Sequence, residues 1–282
     1  MEIDRASSIL STLGHPGRLA VFRLLVRRGP QGARPGDMAG ALGLKPNTLS
    51  VYLAALEGAG LIDARREGRA IHYSARMAEM GALVDFLVSD CCRGRPDLCL
   101  PHVADPKPKR ADMSDTPFNV LFICTGNSAR SIFAEALLRE LGGDRFRAYS
   151  AGTRPFSTLN PFAVELLHRN GHDISPLRAK TIAEFQDGDA PLMDFVFTVC
   201  DAAANEDCPP WPGQPISAHW GLPDPVKREG TDAEKALAFA QAYAQMRQRV
   251  QAFAALPIDQ LDRLSLQRRL DDIGRMNTAE PA

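Results

Sequence analysis

The sequence lacks any apolar run approaching the roughly 18 residues that a membrane span requires, which excludes a transmembrane helix as its organising feature. Its first residues, MEIDRAS, are acidic and carry no basic stretch leading into an apolar one, so the form of a secretory signal is missing. No self-similarity appears at the period of about 20–50 residues that marks solenoids and propellers, and no low-complexity tract is present. Net charge is nearly absent as well: 33 Lys/Arg against 34 Asp/Glu leave −1. These absences lead us to expect a cytoplasmic chain with no membrane partner. Hydrophobic residues at 45% and charged residues at 24% exclude wholesale disorder. At about 100–200 residues per domain, 282 residues predict two domains.

The neutrality hides an asymmetry. Residues 1–113 carry 16 Lys/Arg and 12 Asp/Glu, whereas residues 114–282 carry 17 and 22, a split found where a nucleic-acid-binding part is joined to another part. Between them Pro101–Pro117 has four prolines, many charges and almost no large apolar residue, the composition of a linker. We therefore expect domains over 1–100 and 118–282, joined by a 101–117 linker. Six cysteines, Cys91, Cys92, Cys99, Cys124, Cys200 and Cys208, fall three on each side. Such clustering in a cytoplasmic chain favours metal, redox or catalytic use over structural disulfides.

Before the linker the periodicity is helical. Leu19, Phe22 and Leu25/Val26 share a helix face, a short segment spans Pro35–Leu42, and Asn47–Ala59 places Leu49, Leu53 and Leu56 together before a stop at Gly60. Leu61–Ala75 reads as a hairpin turning at Glu67–Gly68. A further helix from Arg76 to about Cys92 carries Met80, Val84, Leu87 and Cys91 on one stripe. Three helices followed by a basic hairpin predict an α+β winged helix-turn-helix domain. Its candidate DNA contacts are Lys45, Asn47, Thr48, Ser50 and Tyr52 around the start of the third helix, with Arg65, Arg66 and Arg69 on the wing. On spacing alone, a solvated helix face accounts for the same polar residues.

Leu13-Gly14-His15-Pro16-Gly17-Arg18 and the Thr48–Ile62 helix with its Arg-rich wing resemble the ArsR/SmtB family of metal-responsive repressors over about residues 5–100. The resemblance implies operator DNA as partner, a homodimer formed through this domain, and an arsenite-sensing site. Where the family often has two histidines after the serine, Val51 and Tyr52 stand here, and Arg34–Leu42 has none of the paired cysteines of many members. The metalloid site then falls to Cys91, Cys92 and Cys99, three soft thiolates suited to arsenite or antimonite. Read alone, Cys91 equally extends the apolar stripe of its helix.

After the linker, strands alternate with helices. Asn119–Cys124, Phe146–Ala151 and Asp194–Cys200 read as strands; Ser128–Leu141, Pro161–Asn170, a Thr231-capped helix to about Ala255 and a last helix over Asp259–Ile273 complete the pattern. This predicts an α/β three-layer domain with a parallel sheet. At the end of the first strand, Cys124-Thr125-Gly126-Asn127-Ser128-Ala129-Arg130-Ser131 sets five residues between a cysteine and an arginine and leads into a helix. Small residues let successive N–H groups curl around a tetrahedral oxyanion, and the arginine fork chelates two of its oxygens. The same field is expected to hold Cys124 as a thiolate.

This loop, with Ser150-Ala151-Gly152-Thr153, is similar to that of low-molecular-weight protein tyrosine phosphatases and the arsenate reductases that share their fold, over about residues 118–256. Thr198-Val199-Cys200-Asp201, Cys208-Pro209, Ala218-His219-Trp220-Gly221 and Asp224-Pro225 look like the reductases that use a cysteine relay. Val226-Lys227 stands where phosphatases typically carry tyrosines. The resemblance implies Cys124 as nucleophile, Arg130 as oxyanion ligand, Asp224 as general acid, and Cys200 and Cys208 as relay thiols. No tightly bound cofactor is implied, and the relay would be reset by thioredoxin or glutaredoxin. Together the two resemblances imply a fusion in which arsenite made by one domain is the effector of the other. A phosphatase tethered to a regulator, and a transcription factor with a non-catalytic oxyanion-binding domain, are the competing readings.

Overall fold

The computed structural model describes residues 1–68, 70–87, 116–187, 190–206, 211 and 215–276. Cys91, Cys92, Cys99, Cys208, Arg69 and nearly all of the expected linker lie outside them. The chain divides into two compact units, Met1–Ser114 and Asp115–Ala282. Among the described residues no helix is long and apolar enough to cross a membrane.

The first unit is helical with one hairpin. Its helices are α1 (Ile3–Leu13), α2 (Pro16–Arg28), α3 (Pro35–Leu42), α4 (Pro46–Gly58) and, after the strands β1 (Ile62–Glu67) and β2 (Ala70–Ala75), α5 (Met77–Phe86). Three of them open with proline at the first position, where its missing N–H costs nothing. His15 caps α2 by accepting the Gly17 and Arg18 N–H groups at 3.1 and 3.4 Å. Gly43 (φ 62°) and Gly60 (φ 68°) supply the left-handed residues that end α3 and follow α4. Val21, Leu24, Leu25, Leu49, Leu53 and Leu56 meet in one core.

Three expectations for this unit are corrected. A helix precedes the first one expected: α1 buries only Ala6 and Ile9, too little apolar surface to stand out as a stripe. Leu19 and Val26 are exposed, and Val21 and Leu24 are buried in their place. In α5 Leu83 and Phe86 are buried, Met80 and Leu87 of the expected stripe pack against the same core, and Val84 is exposed.

The second unit is built on a four-stranded, wholly parallel sheet of β3 (Phe118–Cys124), β4 (Phe146–Gly152), β5 (Phe195–Thr198) and β6 (Ile216–His219), in the order β4-β3-β5-β6. Strand β3 lies inside the sheet with Val120–Cys124 buried, which is why it reads as a continuous apolar run rather than an alternation. The helices are α6 (Arg130–Leu141), α7 (Pro161–Arg169), the short α8 (Asp201–Asn205), α9 (Asp232–Ala254) and α10 (Arg263–Gly274). Phe122, Phe197, Trp220 and Phe253 form the aromatic centre of the core, with Phe197 stacked on Trp220 at 4.0 Å. The last helix belongs to this core. Leu266, Leu270 and Ile273 are buried, the Trp220 indole donates to the Leu270 carbonyl at 3.0 Å, and Leu264 is exposed.

Candidate active site

Parallel pairing sets the site. Ile123 of β3 pairs with Thr198 of β5, and the Val199 N–H bonds the Ile123 carbonyl at 2.8 Å. Cys124 and Cys200 therefore emerge one and two residues beyond the same rung, at the carboxyl edge where parallel sheets form their binding crevices. Both are buried free thiols. The Thr125 hydroxyl lies beside Cys124 in sequence and 3.4 Å from the Cys200 sulfur.

The loop from Thr125 to Ala129 curls back on Cys124. The Asn127 N–H donates to the Cys124 sulfur at 3.1 Å, and the Ser131 hydroxyl stands 2.9 Å from it. Among the described residues Asn127 is the one non-glycine residue with positive φ, at 44°. That conformation costs about 1–2 kcal/mol, and its fully buried side chain offsets the cost with three hydrogen bonds. Nδ2 donates to the Ser131 hydroxyl (2.9 Å) and the Ser150 hydroxyl (2.8 Å), and Oδ1 accepts the Lys180 N–H (2.7 Å). Ser150 in turn donates to Glu135 at 2.6 Å, and Glu135 is ion-paired with Lys180 at 3.0 Å and Arg139 at 2.7 Å. Outside, the 153–160 segment bonds the loop backbone through Thr153, Arg154, Phe156 and Asn160. Gly126 lies directly beneath the Phe156 ring, and a Cβ there would come within 2.5 Å of it and push the ring aside.

Arg130 opens α6. Its guanidinium pairs with Asp224 at 2.8 Å and donates to the Leu222 carbonyl at 3.0 Å. Asp224 also accepts the Val226 N–H at 3.2 Å. The general-acid candidate and the oxyanion-binding arginine are thus in direct contact, and an incoming oxyanion competes with Asp224 for the same fork.

The expectation of a stabilised Cys124 thiolate is corrected. Burial pushes the Cys124 thiol above its ordinary pKa and the neighbouring Cys200 adds to the rise, against the opposing pull of the Ser131 hydroxyl and Arg130. Desolvation of a residue 97% removed from solvent outweighs the hydrogen bonding of Ser131 and a guanidinium already engaged by a carboxylate.

The structure thus brings Cys124, Thr125, Gly126, Asn127, Ser128, Ala129, Arg130, Ser131, Cys200 and Asp224 together. In the first unit Lys45, Asn47, Ser50, Arg65 and Arg66 are exposed and Thr48 is partly so, although Ser50 bonds back to the Pro46 carbonyl and Arg65 pairs with Glu67. Tyr52 is partly buried, its ring 5.0 Å from His15 and close over Gly17. Sequence reasoning missed the roles of Asn127, Glu135 and Lys180. The one signal for Glu135 was a charged residue inside an otherwise buried segment, whereas Lys180 lies in a largely exposed stretch and had none.

The family described as low molecular weight phosphotyrosine protein phosphatase matches residues 119–266. An arsenate reductase of Halalkalibacterium halodurans is 38% identical over 138 residues, covering 48% of this chain and 94% of that protein. Among solved structures, a thioredoxin-dependent arsenate reductase of Corynebacterium glutamicum is 25% identical with a TM-score of 0.36, over 49% of this chain and 63% of that one. An ArsR-like transcriptional regulator from Rhodococcus sp. RHA1 is 22% identical with a TM-score of 0.30, over 34% of this chain and 89% of its own.

Proposed function

The chain belongs to the low molecular weight phosphotyrosine protein phosphatase family through residues 119–266, and from that premise we propose that it is an arsenate reductase working by a thiol relay. The observation that carries the reading is the placement of two buried thiols, Cys124 and Cys200, at the carboxyl edge of neighbouring parallel strands, with the Thr125 hydroxyl of the oxyanion loop 3.4 Å from the Cys200 sulfur. A phosphatase has no use for the second thiol. An arsenate reductase over 94% of whose length this chain aligns, at 38% identity, supports the choice.

Arsenate enters the loop and displaces Asp224 from Arg130. Cys124 attacks arsenic as its proton passes to the oxyanion, which is a ready acceptor near neutral pH. A sulfur–arsenic bond forms, and one arsenic oxygen departs as water carrying the proton that left Cys124, relayed to it by the Asp224 carboxylate. Cys200 then attacks the Cys124 sulfur. A disulfide forms, the sulfur–arsenic bond breaks with its electron pair left on arsenic, and As(V) leaves as As(III). The two thiols have supplied the two electrons. Cys208 displaces Cys124 from the disulfide and frees it for another cycle, and an external dithiol of the thioredoxin or glutaredoxin type reduces the Cys200–Cys208 bond.

The first unit, in this reading, is an arsenite-responsive winged helix-turn-helix repressor. Helix α4 presents Asn47 and Ser50, and the β1–β2 hairpin presents Arg65 and Arg66, to operator DNA. Cys91, Cys92 and Cys99 take the arsenite. Tyr52, packed on His15, drops out of the contact set. The domains are 1–100 and 118–282, and the product of one is the effector of the other.

Replacing Cys200 by Ala tests the enzymatic reading. Arsenate turnover should fall below detection, while any hydrolysis of an aryl phosphate, which needs Cys124 alone, persists. Arsenate turnover at the wild-type rate in Cys200→Ala would refute the relay.

A further inference from the structure

Cys200 is carried by a weak element. Helix α8 has five residues and buries only Ala203 and Ala204, far short of the length at which a helix holds itself together. The Cys200 sulfur is its cap, accepting the Ala203 N–H at 3.4 Å. A side chain from another strand fixes this piece of chain from both sides. His219, at the end of β6, has its ring 99% buried, with Nδ1 2.8 Å from the Thr198 hydroxyl and Nε2 3.0 Å from the Asp201 carboxylate. Thr198 and Asp201 flank Val199-Cys200.

The clasp is itself held in place. The Trp220 N–H bonds the Thr198 carbonyl at 2.7 Å, and the buried Arg249 donates to the carbonyls of Trp220 and Gly221 at 2.7 and 3.1 Å. Gly221 leaves room for it, because a Cβ there would stand 2.5 Å from His219 Nε2 and 2.8 Å from the Asp201 carboxylate.

We propose that His219 is a positioning residue of the relay: by clasping Thr198 and Asp201 it fixes where Cys200 stands relative to Cys124 and so sets the rate at which the two sulfurs join. The proposal rests on the relay reading for its purpose, but not for its test. Two sulfurs forming a bond must meet nearly in line, and a displacement of about 1 Å costs up to about a hundredfold in rate. The bonds of the clasp go to Thr198 and Asp201 on either side of Cys200, so it acts on the step in which Cys200 attacks, after arsenate has bound.

The experiment uses the full chain carrying Cys208→Ser, and follows closure of the Cys124–Cys200 disulfide by peptide mass after addition of diamide. This oxidant takes up the two electrons and two protons released as the sulfur–sulfur bond forms. Thr198→Val and Asp201→Ala, the latter at a carboxylate 65% exposed, should slow closure about tenfold or more. Thr198→Ser, which keeps the hydroxyl, should close at the parent rate. His219→Gln should match or exceed the loss in Thr198→Val. In chains with Cys208 intact, the same variants should lower kcat for arsenate with KM unchanged. Closure at the parent rate in both Thr198→Val and Asp201→Ala would overturn the proposal, whether or not arsenate is reduced. If the parent chain makes no arsenite while Thr198→Val closes slowly and Thr198→Ser normally, the arsenate reading fails and the positioning role stands.

Discussion

At the scale of single residues, the Cys124 sulfur sits between opposing influences. Burial and Cys200 raise its pKa; the Ser131 hydroxyl, 2.9 Å away, and Arg130 lower it. A thiol raised in this way keeps its proton through neutral pH, and its reactivity climbs as pH rises toward its pKa. Ser131→Ala removes a stabiliser of the charged form, so it should shift the pH profile of Cys124 alkylation by iodoacetamide further toward alkaline pH, with slower labelling at any pH below the midpoint. An unshifted profile would show that Ser131 does not tune the sulfur. The chemistry-bearing residues of the loop were legible in the sequence, because a cysteine and an arginine with five residues between them at a strand end have few other uses. Asn127 was legible only as a member of the loop. Its positive φ and its three side-chain bonds to Ser131, Ser150 and Lys180 join residues up to 53 positions apart, which no local pattern announces. The ionisation of Cys124 was misjudged for a related reason: the oxyanion loop is visible in sequence, whereas the depth at which it is buried is not.

At the scale of elements, local chemistry decided what could be read. Helix α3 begins at Pro35 and ends before Gly43 as its proline and glycine dictate. Helix α9 starts at a capping box in which Thr231 accepts the Glu234 N–H and Glu234 accepts the Thr231 N–H. Thr231→Ala should lower the unfolding free energy of the second unit by about 1 kcal/mol, read as an earlier denaturant midpoint with arsenate binding unchanged. No change in midpoint would show that α9 is anchored by its buried face alone. Elements without such punctuation were missed. Strand β6 is four residues, Ile216–His219, with Ser217 exposed between two partly buried neighbours, too short for an alternation to register. It is nonetheless the strand that carries the clasp on Thr198 and Asp201. Helix α1 was missed because it buries only two residues, and on α5 Val84 was read as inward because Leu83 and Val84 are adjacent apolar residues that satisfy neighbouring phases equally.

At the scale of the whole molecule, a net charge of −1 conceals a basic part and an acidic part, and the chain folds as two compact units. The second unit's parallel sheet was readable from alternating strand and helix signals, since a strand buried on both faces followed by a capped helix leaves few other architectures. The proposed coupling of the two units rests on the cysteines, three on either side of the proline-rich segment. Arsenate reduction is the proposed activity on which both the relay and the supply of an effector to the first unit depend. The direct test is steady-state consumption of reduced thioredoxin, or of glutathione with glutaredoxin, by the full chain on addition of arsenate. We predict consumption that requires arsenate, yields one arsenite per dithiol oxidised and is abolished in Cys124→Ser. No arsenate-dependent consumption with either reductant, from a chain that still hydrolyses an aryl phosphate, would contradict it.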